Sequence, residues 1–152
     1  LVGRKFNMGG GQPFQKWMNE LRQFIENHRE DKNFAAEIEM LAQALAAFSD
    51  MLQLLAAKIS AGQIGYQPLW ANRIMFAMSM VYCGMLILDQ GLLARKQLDE
   101  LGEDSFDANF YQGKIASARF YVLNEVPKIF SIASNFKSSD SSVIELKPEY
   151  LG

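Results

Sequence analysis

The chain has 152 residues, 49% of them hydrophobic and 21% charged, with a net charge of −2. That length supports one domain with a real core, and the charge balance excludes the basic footprint of a nucleic-acid binder. Cys83 is the only cysteine, which excludes an internal disulfide or a cysteine metal cluster and points to a reducing compartment, the cytoplasm.

Residues 1–12, "LVGRKFNMGGGQ", read as a linker at the cut edge of a longer protein, ending in Gly9, Gly10 and Gly11. Pro13 suits the first position of a helix. Phe14, Trp17, Leu21, Phe24 or Ile25, and His28 then recur at helical steps, and the charged run "HREDKN" closes that helix. Asn33 is the expected N-cap of a second helix, with Glu37 in its first turn where the helix dipole favours negative charge. Its stripe is Ile38, Leu41, Leu45, Phe48, Leu52, Leu55 and Ile59, and Gly62 and Gly65 mark the break.

Pro68 opens a third helix running to about Leu101, where Gly102 stops it. Within it, Ile74 to Leu88 carries no formal charge. Fifteen such residues fall short of the roughly 20 a membrane span needs, so the segment reads as a central core helix, apolar all round. Asp104 is the expected cap of a fourth helix. Tyr111, Ile115, Ala118, Val122, Val126, Ile129, Ala133 and Phe136 follow at steps of 4, 3, 4, 4, 3, 4 and 3. Pro127 interrupts the ladder inside that seam and predicts a kink, not an end. The expected fold is all-α: an up-down four-helix bundle over residues 13–137, then a Ser-rich spacer and a short extended C-terminal tail over 138–152.

A bundle invites a di-iron centre, which needs Glu-x-x-His pairs on facing helices. His28 is the only histidine and Ile25 precedes it by three, so that chemistry fails; His28 reads as a surface or capping residue. Cys83 lies in the most apolar segment, where a thiol is an inert packing group. Lys114 follows a glycine, but Ile115 comes next and Ala108 stands where a phosphate-binding loop needs its first Gly, so it is no Walker lysine. Met75, Met78, Met80 and Met85 read as core filling. The residues themselves supply no catalytic, cofactor-binding or metal site.

"LVGRK" at the start, "FYQGKIASARFYVLNEVP" at Phe110–Pro127 and the acidic-apolar tail together resemble the C-terminal helical domain of the long branch of the acyl-CoA dehydrogenase family. The resemblance implies a parent enzyme that uses FAD to oxidise an acyl-CoA to the 2-enoyl-CoA, a carboxylate taking the α proton and flavin N5 the β hydride. In that family the base commonly belongs to a Glu-Gly-Thr motif, which would lie just before Leu1. The resemblance therefore places no catalytic residue and no FAD site on this chain.

The role it implies here is structural: packing on the dehydrogenase core or on a second subunit of a homodimer, with acyl-CoA and an electron acceptor as partners of the parent. Phe110, Tyr111, Lys114, Arg119, Phe120 and Tyr121 are the candidate interface; the blander reading divides them between bundle core and solvent. A membrane surface is not expected, since no helix is strongly basic on one face and apolar on the other. The alternative function is a free-standing helical-bundle interaction module without flavin chemistry.

Overall fold

The computed structural model describes residues 3, 4 and 6–152; Leu1, Val2 and Lys5, and with them part of the "LVGRK" match, lie outside the described residues. Gly9, Gly10 and Gly11 take φ of 59°, 67° and 81°, a left-handed run that side chains with a Cβ rarely adopt. The chain folds back there, and Phe6 stacks on Phe14 at 4.2 Å between ring centroids. Helix α1 follows at Gln12–Asn27 with Pro13 in its first turn. Trp17 continues the aromatic run, meeting Phe48 at 6.0 Å and Tyr82 at 5.9 Å.

Helix α2 spans Ala35–Ser60. The expected cap at Asn33 is corrected: Asp31 Oδ1 accepts from the backbone N–H groups of Asn33 (2.8 Å) and Phe34 (3.0 Å). That Asx turn leads the chain into the helix, whose N-cap position is Phe34, with no side-chain cap. At the other end Gln63 N–H donates to the Lys58 carbonyl and Gly62 N–H to that of Ile59, both at 2.9 Å. With Gly62 at φ 78°, this is a Schellman stop. Helix α3, Tyr66–Leu101, has 36 residues and is about 54 Å long. It ends at Gly102, whose N–H donates to Leu98.

The single fourth helix is also corrected. Glu103–Asp107 forms turns, so Asp104 caps nothing, and α4 begins at Ala108. It runs to Phe120, a π-helical turn occupies Tyr121–Glu125, and α5 spans Lys128–Ser138. The described residues thus hold five helices of eleven residues or more, not four, and no strand. The physical reason is Pro127, which has no N–H to continue the ladder; Val126 N–H reaches back five residues to Tyr121 instead, at 3.1 Å. The seam spacing survives the break, since Ile115, Ala118, Val122, Val126, Ile129, Ala133 and Phe136 are all buried. The redirection has a use: α4 packs chiefly on α3, and α5 chiefly on α2.

The inward side of α3 holds the core together. Trp70 stacks on Phe136 of α5 at 4.1 Å and is 1% exposed. Further along, a Cβ on Gly91 would come within 2.6 Å of Ala118 Cβ, and one on Gly84 within 2.9 Å of Val126. Glycine at those two places lets α3 approach its neighbours more closely than any side chain would permit.

The tail departs from the extended form expected. A short helical turn, α6 at Ser142–Glu145, and a 3₁₀ turn at Pro148–Tyr150 replace it. Tyr66 donates its hydroxyl hydrogen to the Ser139 carbonyl at 2.6 Å, and Ile144 packs where a Cβ on Gly65 would stand. The tail does return to the bundle, at the α2–α3 turn.

Candidate functional site

Among the described residues no three His, Cys, Asp or Glu side chains converge to hold a metal ion. His28 ends α1, its Nδ1–H donating to the Phe24 carbonyl at 2.8 Å and its ring lying on Phe24. Cys83 is half-buried beside Tyr121. Burial pushes the Tyr121 hydroxyl above the ordinary tyrosine range, and the Cys83 thiol and Glu125 carboxylate raise it further.

The notable concave feature is a groove of about 830 Å³ between α3 and α4. Phe110, Lys114 and Phe120 line it from α4, Tyr121 from the π-helical turn that follows, and Ile87 and Gln90 from α3. Helical spacing explains the set, because 110, 113, 117 and 120 follow at steps of 3, 4 and 3 on one face of α4, with 114 and 121 beside them. Gly113 leaves the groove floor open, with nothing within 4 Å of where its Cβ would be. Phe110 and Phe120 are each 61% exposed. Lys114 donates to Gln90 Oε1 at 3.1 Å and lies 5.7 Å from the Phe110 ring. Tyr111 belongs to an adjoining recess with Leu93, Ala94 and Gln97.

Arg119 stands apart from the other five candidates. It faces the start of α2, donating to the Asn33 carbonyl at 3.1 Å and pairing through Nε with Glu37 Oε1 at 3.5 Å. Its guanidinium also lies 5.4 Å from the centre of the buried Phe34 ring. Glu37 is 4% exposed, the one charged residue of the core among the described residues. A buried carboxylate needs such a partner, since an isolated one is costly to desolvate. Arg119, itself half exposed, therefore ties α4 to the beginning of α2 from the surface, over the buried Glu37.

Sequence reasoning missed the outward ridge of α3. The apolar segment expected to be central core is buried along one side only. Ile74, Ala77, Val81 and Leu88 face inward, while Met75, Phe76, Tyr82, Leu86 and Leu93 are exposed. The signal was present as the absence of any charge between Arg73 and Asp89. By length and composition α2 and α3 are each able to cross a membrane; in this fold both carry inner faces packed into the bundle.

The groove does not fit a flavin dinucleotide. A pyrophosphate calls for several cations or a cradle of backbone N–H groups, and among the described residues Lys114 is the only cation lining it. What the α3–α4 face offers is apolar area with a few polar points, the character of an interface between proteins.

A protein-family model described as acetyl-CoA dehydrogenase C-terminal like matches residues 17–147. The chain is 47% identical over 149 residues to a butyryl-CoA dehydrogenase of Syntrophomonas wolfei subsp. wolfei, covering 98% of this chain and 24% of that protein. It is 44% identical over 147 residues to a second butyryl-CoA dehydrogenase of the same organism, covering 96% and 24%. The broad-specificity linear acyl-CoA dehydrogenase FadE5 of Mycobacterium tuberculosis is 26% identical over 132 residues, 84% of this chain and 21% of that protein. The chain spans about a quarter of the length of the two Syntrophomonas relatives it matches.

Proposed function

The chain belongs to the acetyl-CoA dehydrogenase C-terminal-like family, and from that premise we propose that it is the accessory and oligomerisation domain of an FAD-dependent acyl-CoA dehydrogenase. The observation that carries this reading is one pair of numbers: 98% of this chain aligns with only 24% of a butyryl-CoA dehydrogenase. The proposed parent oxidises an acyl-CoA to the 2-enoyl-CoA, with FAD and the catalytic carboxylate held by residues outside this chain. It works in the cytoplasm as a homodimer and passes its electrons to a separate acceptor.

Within that enzyme the contribution of these residues is mechanical. The domain packs on the dehydrogenase portion or on the partner subunit, and the α3–α4 face supplies the apolar area for doing so. The groove aromatics Phe110 and Phe120 and the cation Lys114 belong to that surface. Arg119 serves it indirectly, by fixing α4 against α2.

The test is expression of the complete reading frame that contains this chain. The product is expected to be yellow with bound FAD and to oxidise butyryl-CoA, the substrate in the names of two relatives, with a dye as acceptor. The 152-residue chain alone is expected to stay colourless. A complete product that neither binds FAD nor oxidises any acyl-CoA would leave the alternative, a free-standing interaction module.

A further inference from the structure

The outward ridge of α3 is long, apolar and uncovered. From Met75 to Leu93 it extends about 27 Å at 1.5 Å per residue, and its most exposed member, Leu93, is 61% open to solvent. On one flank lies Trp17 of α1, edge-on to Tyr82. On the other lies the α3–α4 groove, with Ile87 and Gln90 on the shared wall. A ridge beside a groove is the relief that another helix packs against.

The position of the N-terminal segment decides what covers it. Gly3 lies against the Gln67 side chain, in the first turn of α3. From there the chain passes along Phe6, Phe14 and Trp17 to Tyr82, each ring within 6 Å of the next. Polypeptide joined ahead of Gly3 is therefore tethered beside the ridge. The relatives carry about three quarters of their length outside the matched region, so a large body is available at high local concentration.

We infer that the α3 ridge, continued by the α3–α4 groove, is the seat of the dehydrogenase portion of the same enzyme, not of a second copy of this domain. The inference builds on the proposed function and goes further by naming the face and its occupant. Burying the ridge removes five large apolar side chains from water, and the groove receives side chains of the occupant between Phe110 and Phe120. Lys114, already held by Gln90, offers a fixed cation to a carboxylate or carbonyl on that occupant.

Photo-crosslinking in the complete enzyme tests this. Leu86→benzoylphenylalanine and Leu93→benzoylphenylalanine are each expected to give adducts whose peptides map to the dehydrogenase portion. Lys16→benzoylphenylalanine, on the polar outer face of α1, is expected to give none. Adducts joining α3 to α3 of a second copy, or no adducts above those from position 16, would overturn the inference. So would sedimentation of the enzyme with phosphatidylglycerol and phosphatidylethanolamine vesicles that Leu86→Glu abolishes, which would make the occupant a lipid surface. FAD content and butyryl-CoA oxidation of the unsubstituted enzyme are read separately. Full activity without the expected adducts overturns the inference alone, and a flavin-free, inactive product overturns the functional reading beneath it.

Discussion

The outer faces of α1 and α3 are both turned away from the core, yet they are chemically opposite. Helix α1 presents Gln15, Lys16, Asn19, Glu20 and Gln23 outward, a fully polar stripe. Helix α3 presents Met75, Phe76, Tyr82, Leu86 and Leu93. Water explains the first face, because a surface helix buries one apolar side and hydrates the other. It does not explain the second. An apolar outer face costs solvation in the isolated chain and is retained where something else covers it. The contrast separates residues selected for folding from residues held for assembly.

The largest expected effect sharpens the inner half of that contrast. Trp70→Ala, on the packed side of α3, is expected to lower unfolding stability by about 3–5 kcal/mol in urea titration. A loss below about 1 kcal/mol would mean that the inward side of α3 is not the tightly packed one. Gly91→Val comes next, at about 1–3 kcal/mol, because the added side chain meets Ala118. Calorimetry checks it, and an unchanged melting temperature would show that α3 and α4 are not in close contact.

Arg119→Ala is expected to cost about 1–2 kcal/mol, since it leaves the Glu37 carboxylate buried without its partner. Lys114→Ala, on the exposed wall of the groove, should stay within about 0.5 kcal/mol. Equal losses would erase the distinction drawn between those two cations. The smallest effect compares the outer faces directly. Leu93→Gln on α3 and Glu20→Gln on α1 are each expected to change stability by no more than about 0.5 kcal/mol. Only Leu93→Gln should lower binding of an apolar dye such as ANS to the isolated chain, read by fluorescence. A clear destabilisation by Leu93→Gln would show that the ridge is packed within the chain, and the comparison would fail.

Much of this architecture was legible in the residues. The seam from Ile115 to Phe136 and the α2 stripe from Ile38 to Leu55 could be read directly, because helical period ties spacing to burial without knowledge of neighbours, while Ile59 at the end of that stripe is exposed. Gly62 and Gly102 announced their helix ends for the same local reason. The failures share a cause. Asn33 caps nothing because α2 starts after Phe34, with Asp31 shaping the approach as an Asx turn, and that depends on the turn actually formed. The pairing of Arg119 with Glu37 needed α4 to meet α2, which no spacing along one helix encodes. The α3 ridge escaped because leucine and methionine spell the same pattern whether they meet a core or a partner. Of the six candidate interface residues, five line the groove or the recess beside it, and Arg119 lies across the start of α2, paired with Glu37.

The glycines at 84 and 91 carry one more implication. With no side chain to act as a spacer, α3 lies hard against Ala118 and Val126, and sliding along its neighbours would drive backbone into side chains. The ridge on its far side is then a rigid track, already in the shape it holds when covered. Docking onto such a track gives up little conformational freedom, so more of the burial energy remains as affinity. Two missing methyl groups inside the bundle thus set how tightly its outside can be held.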